Sequence, residues 1–134
     1  MLRAVTITER PSRSTAVETI LVVDDHPAMR ELVRDLLAAP GRRFLEGANG
    51  CEAVDSFQSN HPDWVVMDLD MPKMDGLSAT RAICGADPSA RIVIVTQHDE
   101  AGLHGAAIAA GAASFLTKDR LFDLPALLNQ PDQP

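Results

Sequence analysis

The chain has 134 residues, a length that holds one domain and can bury a full core without metal or disulfide staples. Apolar residues make up 46% and charged residues 23%, the balance of a soluble globular domain. The formal charge of −7 leaves no surplus of Lys and Arg to displace counterions, so direct nucleic-acid binding is not expected, and no run of about 18 apolar residues is present to span a membrane.

Residues 1–18 mix Arg, Ser, Thr and Pro11 with no apolar period and read as a flexible leader. They lack the apolar stretch of a signal peptide, so the expected location is the cytoplasm. Residues 19–134 carry about −8, from 9 basic against 17 acidic side chains, enough to concentrate some charge around a cation.

Apolar runs then alternate with amphipathic segments. Thr19–Val23, Trp64–Met67 and Ile92–Val95 are short, continuous and rich in β-branched residues. Such runs suit strands buried on both faces, as in parallel sheets. Arg43–Glu46 and Ser114–Thr117 are weaker strands. Between them, Pro27–Ala39 sets Ala28, Met29, Leu32, Val33, Leu36 and Leu37 on one stripe, with Pro27 at the first turn and Pro40-Gly41 as the stop. Gly50–Ser59 buries Ala53, Val54 and Phe57, and Leu77–Cys84 turns Leu77, Thr80, Ile83 and Cys84 inward. Asp99–Ala110 is a small-residue helix stopped by Gly111, with Gly102 and Gly105 inside it. Each glycine costs about 1 kcal/mol there, which predicts a labile helix. Pro125 and Pro131 confine the last helix to Leu124–Gln130, and residues 131–134 form a tail. The order predicts a doubly wound α/β domain over residues 19–130 with right-handed crossovers.

Ligands in such folds sit beyond the carboxyl ends of the strands. The residues there are Asp24 and Asp25, Asp68 and Asp70, Thr96, and Lys118. Close carboxylates repel one another, and a hard divalent cation relieves the repulsion. Oxygen-only ligands favour Mg²⁺ over zinc or copper. A carboxylate beside such an ion can attack phosphorus and become an aspartyl phosphate, with Thr96 and Lys118 satisfying the other phosphoryl oxygens.

The segments LVVDDHPAMR, VVMDLDMPKMDG, VIVTQHD and ASFLTKD resemble the receiver domain of two-component response regulators. The resemblance implies a flavodoxin-like five-stranded parallel sheet of order 2-1-3-4-5, here with a shortened last helix. It implies Asp68 as phosphoacceptor, Asp25 as direct Mg²⁺ ligand, Asp24 as its neighbour holding metal-bound water, and the Asp70 backbone carbonyl as third protein ligand. It implies Thr96 as the mobile hydroxyl, Lys118 as the paired ammonium and Phe115 as the switch aromatic. A sensor histidine kinase or phosphotransfer protein would be the donor, an unidentified protein the recipient of the signal, and the chain a monomer or weak homodimer. DDHP and Lys118-Asp119 look like the subfamily that usually carries a C-terminal helix-turn-helix, so the expectation is a receiver standing without its output domain.

The chain departs from the family pattern in places. Gln97 stands where a small residue usually leaves the phosphoryl site open, and Asp70 and His98 flank the expected line of water attack. These groups are expected to modulate the lifetime of the phosphorylated state. With no Tyr in the chain, Phe115 signals by packing alone.

Other residues read more plainly. Trp64 and Phe57 are core, and Cys51 and Cys84 are small helix residues. Lys73 and Asp75 are solvated turn residues. His26, His61 and His104 face solvent or cap elements, without metal-ligand spacing. Lys118 is one of two lysines against ten arginines, which suggests a place where a compact ammonium fits and a planar fork does not. Two other functions are open to the sequence. One is an interaction module of receiver fold that signals without phosphorylation. The other is a small phosphohydrolase, since Asp68-Leu69-Asp70 resembles the DxD nucleophile of haloacid-dehalogenase-type enzymes. Those carry the motif on an early strand of a longer chain, whereas Met71-Pro72 follows it here in mid-chain.

Overall fold

The computed structural model describes residues 17–97 and 100–129. Five strands are described: β1 (Glu18–Val23), β2 (Arg42–Gly47), β3 (Trp64–Asp68), β4 (Ile92–Thr96) and β5 (Ser114–Thr117). They form one parallel sheet in the order β2-β1-β3-β4-β5. The helices are α1 (Pro27–Leu37), α2 (Gly50–Asn60), α3 (Gly76–Ala86), α4 (Leu103–Ala110) and α5 (Leu124–Asn129). This is the flavodoxin-like order expected from the sequence. Among the described residues, no helix is long and apolar enough to cross a membrane.

The two-residue period of a strand divides the core. Leu21 and Val23 of β1 face α2, α3 and α4, where they meet Ala53, Phe57, Ile83 and Ala107. Ile20 and Val22 face the other way, towards Val33 and Leu37 of α1 and Leu124 and Leu128 of α5. Every residue of β3 and β4 is buried, which is why both sequences run without alternation. Arg42 ties the far edge together: it donates to Glu18 on β1, to the Leu37 carbonyl of α1 and to Asn129 of α5.

Several boundaries and faces differ from expectation. The α1 helix ends at Leu37 rather than Ala39, and its stripe is narrower, because Ala28 is exposed and Leu32 is 40% exposed. The α4 helix begins at Leu103, not Asp99, a residue outside the described ones. Gly102 is its N-cap at φ 94, so only Gly105 lies in the helix interior. A 3₁₀ turn over Lys118–Asp123 precedes α5 and was not foreseen; it buries Leu121. Gln130, the expected end of the last helix, lies outside the described residues. Asp75 is more than a solvated turn residue, since its carboxylate caps α3 by accepting the Ser78 N–H. Asn49 does the same for α2 at Glu52. Trp64 and Phe57 are buried as expected.

Candidate functional site

Strand order reverses between β1 and β3, and the crevice beyond their carboxyl ends is where such folds bind ligands. Asp24 leaves β1 there and Asp68 ends β3, both buried. Lys118, just past β5, reaches over from the far side. Its Nζ lies 3.3 Å from Asp24 Oδ2 and 3.4 Å from Asp68 Oδ1. Thr96 ends β4 with no exposed surface and is paired in register with Thr117, the residue before Lys118. Four strand ends thus deliver two carboxylates, a hydroxyl and an ammonium to one rim.

Burial dominates the electrostatics. It pushes the Asp68 carboxyl up to about 6, helped by repulsion from Asp24 and opposed by Lys118. Asp68 therefore sits as a desolvated carboxylate with one cation for two acids.

Asp25 is partly exposed beside this pair. Its Oδ1 is buried and receives no hydrogen bond. His26 brings Nδ1 to 3.2 Å from Asp24 Oδ1 and 3.1 Å from Asp25 Oδ1. From the sequence, His26 is expected to face solvent or cap an element, without metal-ligand spacing, and it is the N-cap residue of α1. Its ring is indeed largely exposed, yet the turn places it within ligand distance of both acids.

The turn is held from outside. Arg30, four residues into α1, donates to the Asp24 carbonyl at 2.6 Å and to Glu46 of β2 at 2.7 Å. Arg34 adds a second bond to Glu46, and the two guanidinium groups hold the Glu46 carboxyl below its ordinary range. Arg30 was missed from sequence because its partners are a backbone carbonyl and a residue on another strand. The Asp68 loop is held from inside. Gly76 donates its N–H to the Leu69 carbonyl, and a Cβ at Gly76 would overlap the Asp68 carbonyl oxygen. Gly50 likewise leaves room for the Met74 carbonyl, to which its own N–H is bonded.

The remaining expected residues lie around the rim. Asp70 is exposed two residues beyond β3, and Gln97 is exposed just after Thr96. His98 lies outside the described residues. Phe115 on β5 is half-buried, and the His104 ring of α4 stacks on it at 5.2 Å with planes 8° apart. His104, expected to face solvent or cap an element, is exposed and its ring covers the aromatic. His61 caps α2 at φ 46, as expected of a capping residue. A cavity of about 230 Å³ opens at the other end of the strands, lined by Phe57, His61, Asp63, Asp87 and Arg91 among others, away from the acids.

A buried acid at a strand end, a second acid and a lysine thus meet across the switch point of a doubly wound sheet. Residues 20–129 match the response regulator receiver domain, and the chain belongs to that family. It is 38% identical over 100 residues to the chemotaxis protein CheY of Bacillus subtilis, a match covering 74% of this chain and 83% of that one. Its structure is similar to a LuxR-family two-component response regulator from Aurantimonas, at TM-score 0.75, 37% identity, and coverage of 84% of this chain and 86% of that chain. It also shares its fold with CheY in a CheX-CheY-BeF3-Mg+2 complex from Borrelia burgdorferi, at TM-score 0.77, 23% identity, and coverage of 87% and 93%.

Proposed function

We propose that the chain is a cytoplasmic phosphoacceptor, taking a phosphoryl group on Asp68 from a sensor histidine kinase or phosphotransfer protein. The observation that carries this is the buried Asp68 carboxylate facing Lys118 at 3.4 Å. A buried charge at a strand end is costly unless it has a task, and a single lysine shared with Asp24 does not neutralise it.

The donor set fits Mg²⁺. Asp24 and Asp25 are hard oxygen ligands, and Asp25 Oδ1 is buried without a hydrogen-bond partner, as a ligand atom would be. Asp24, Asp25, Asp68 and the Asp70 carbonyl are the groups to hold it. When bound, the ion supplies charge neutralisation for the phosphoryl oxygens.

The chain's own groups do the rest. An oxygen of Asp68 forms a bond to phosphorus as the phosphorus–nitrogen bond of a donor phosphohistidine breaks. Lys118 is placed to pair with a phosphoryl oxygen, and the buried Thr96 to donate its hydroxyl to another. The charge added at Asp68 draws these two groups in, and their movement biases the segment around α4 and Phe115, where partners and a weak self-association surface are placed. Gln97, Asp70 and His98 modulate how long the acylphosphate lasts.

The test is phosphotransfer to the wild type and to Asp68→Asn, together with NMR spectra in beryllofluoride and Mg²⁺. Wild type should become labelled and show shifts around Thr96, Lys118 and Phe115, and Asp68→Asn should do neither. Labelling of Asp68→Asn, or a wild-type spectrum indifferent to beryllofluoride, would overturn the proposal and favour the phosphorylation-independent module.

A further inference from the structure

We infer that His26 is a further side-chain ligand of the cation site, beside Asp24 and Asp25, and that its nitrogen makes the site prefer a transition ion of the Mn²⁺–Co²⁺–Zn²⁺ class over Mg²⁺. The inference rests on the phosphoacceptor reading for the presence of a cation at this rim, and adds to it which ion the chain selects.

Three observations carry it. The first is spacing. Two donors bound cis to one octahedral ion at 2.0–2.1 Å stand about 3 Å apart. His26 Nδ1 lies 3.1 Å from Asp25 Oδ1 and 3.2 Å from Asp24 Oδ1. The second is the state of those oxygens. Asp25 Oδ1 is buried and receives no hydrogen bond, and its contact with the His26 ring misses hydrogen-bond geometry. Asp24 divides its carboxylate: Oδ2 faces Lys118, while Oδ1 accepts the His26 backbone N–H and is hydrogen-bonded to the ring Nδ1 at 3.2 Å, the contact that a shared ion would replace. The third is the ring itself. His26 is the N-cap of α1, but its side chain makes no cap hydrogen bond. The ring is 66% exposed, so packing does not hold it in place. The two carboxylates are what it turns towards.

The chemistry follows from the donor set. Mg²⁺ dehydrates reluctantly and gains little from imidazole, whereas affinity for nitrogen ligands rises along the first transition row. One imidazole among carboxylates therefore shifts the preference without abolishing Mg²⁺ binding. In the sequence the strand ends offer only oxygen ligands, and the ring joins them because the turn after β1 folds it back.

The experiment titrates wild type, His26→Ala and His26→Gln with Co²⁺ and with Mg²⁺ by calorimetry, and records hyperfine-shifted NMR signals of the Co²⁺ forms. Wild type should bind Co²⁺ more tightly than Mg²⁺ and show an assigned His26 ring resonance shifted by the ion. Both variants should lose about tenfold or more in Co²⁺ affinity, with Mg²⁺ affinity within about twofold of the parent. Unperturbed amide spectra of either variant establish that the fold is retained. A Co²⁺ form with an unshifted His26 ring, or variants that keep the parental preference, would overturn the inference. The phosphoacceptor reading is judged separately, by the Mg²⁺–beryllofluoride spectrum of the same protein. A beryllofluoride response with an unshifted His26 sinks the ligand and spares the phosphoacceptor. A shifted His26 without a beryllofluoride response does the reverse.

Discussion

The Lys118 ammonium lies 3.4 Å from Asp68 Oδ1, with the Asp68 side chain buried and that of Lys118 only 11% exposed. The same ammonium is 3.3 Å from Asp24, so one cation offsets two desolvated acids. Lys118→Ala should destabilise the metal-free protein by about 2 kcal/mol, less than the full cost of stranding a buried charge, because Asp68 can take up a proton instead. Urea denaturation in EDTA at pH 7 measures this. Lys118→Arg should recover only part of the loss, since a planar fork does not occupy the space of a compact ammonium. Unchanged midpoints for Lys118→Ala would show the pair to be energetically idle.

The raised Asp68 carboxyl has a pH signature. A carboxyl shifted from 3.8 to about 6 binds its proton more tightly in the folded state. Its contribution to stability is therefore greatest below the unfolded value, is lost as pH rises through about 6, and is flat above that. Asp68→Asn removes this titration. In metal-free buffer the variant should be more stable than wild type at pH 7.5 by about 1–2 kcal/mol, and the difference should shrink towards zero near pH 4. Thermal melts across that range decide it. A wild type whose stability rises between pH 4 and 6 relative to the variant would contradict the environment described for Asp68.

Much of this was legible in the sequence, for a physical reason. Strands buried on both faces must be continuously apolar, so β1, β3 and β4 were found from TILVV, WVVM and IVIV to within a residue. The fold then sends whatever follows each strand to one rim, which is why Asp24, Asp68, Thr96 and Lys118 are legible from the sequence as rim residues. What escaped were contacts made by side chains with backbone, or across sequence distance. Arg30 on the Asp24 carbonyl and Gly76 against Asp68 belong here; the His26 ring escaped for another reason, that the turn after β1 folds it back onto its sequence neighbours Asp24 and Asp25. The start of α4 also escaped, because Gly102 caps at a positive φ where helical periodicity alone would carry the helix further back.

Gly76 limits how the Asp68 loop can be altered. A Cβ there meets the backbone carbonyl of Asp68, which no rotamer change can move aside. Gly76→Ala should cost about 2–3 kcal/mol and displace the Asp68 amide resonance, whereas Gly85→Ala, with open space around its Cβ, should be neutral or slightly stabilising. The two variants compared by denaturation separate crowding from loss of glycine's flexibility.

Arg30 should act on the site without touching phosphate. It holds the Asp24 carbonyl at 2.6 Å and anchors to Glu46. Arg30→Ala should lower stability by about 1–1.5 kcal/mol and weaken Mg²⁺ binding severalfold, because the Asp24-Asp25 turn loses its outer clamp. Arg30→Lys can reach only one of the two partners and should restore less than half of either effect. Calorimetric Mg²⁺ affinity set against urea midpoints distinguishes positioning from general destabilisation. A variant equally destabilised elsewhere, such as Val33→Ala in the α1 core, should leave Mg²⁺ affinity unchanged.

The α4 helix should open before the rest of the fold. It has eight residues, an N-cap glycine without a side-chain acceptor, Gly105 inside, and only Ala107 and Ala110 buried. The α1 helix has eleven residues, with Val33 and Leu37 in the core and Arg30 and Arg34 fixed to Glu46. Amide exchange of α4 should therefore be faster than that of α1 by about tenfold or more. The stacked His104 ring is the one aromatic contact described between α4 and β5, so His104→Ala should speed α4 exchange further while α1 is unaffected. Equal protection of the two helices in the wild type would rule out α4 as the element that yields when Asp68 is modified.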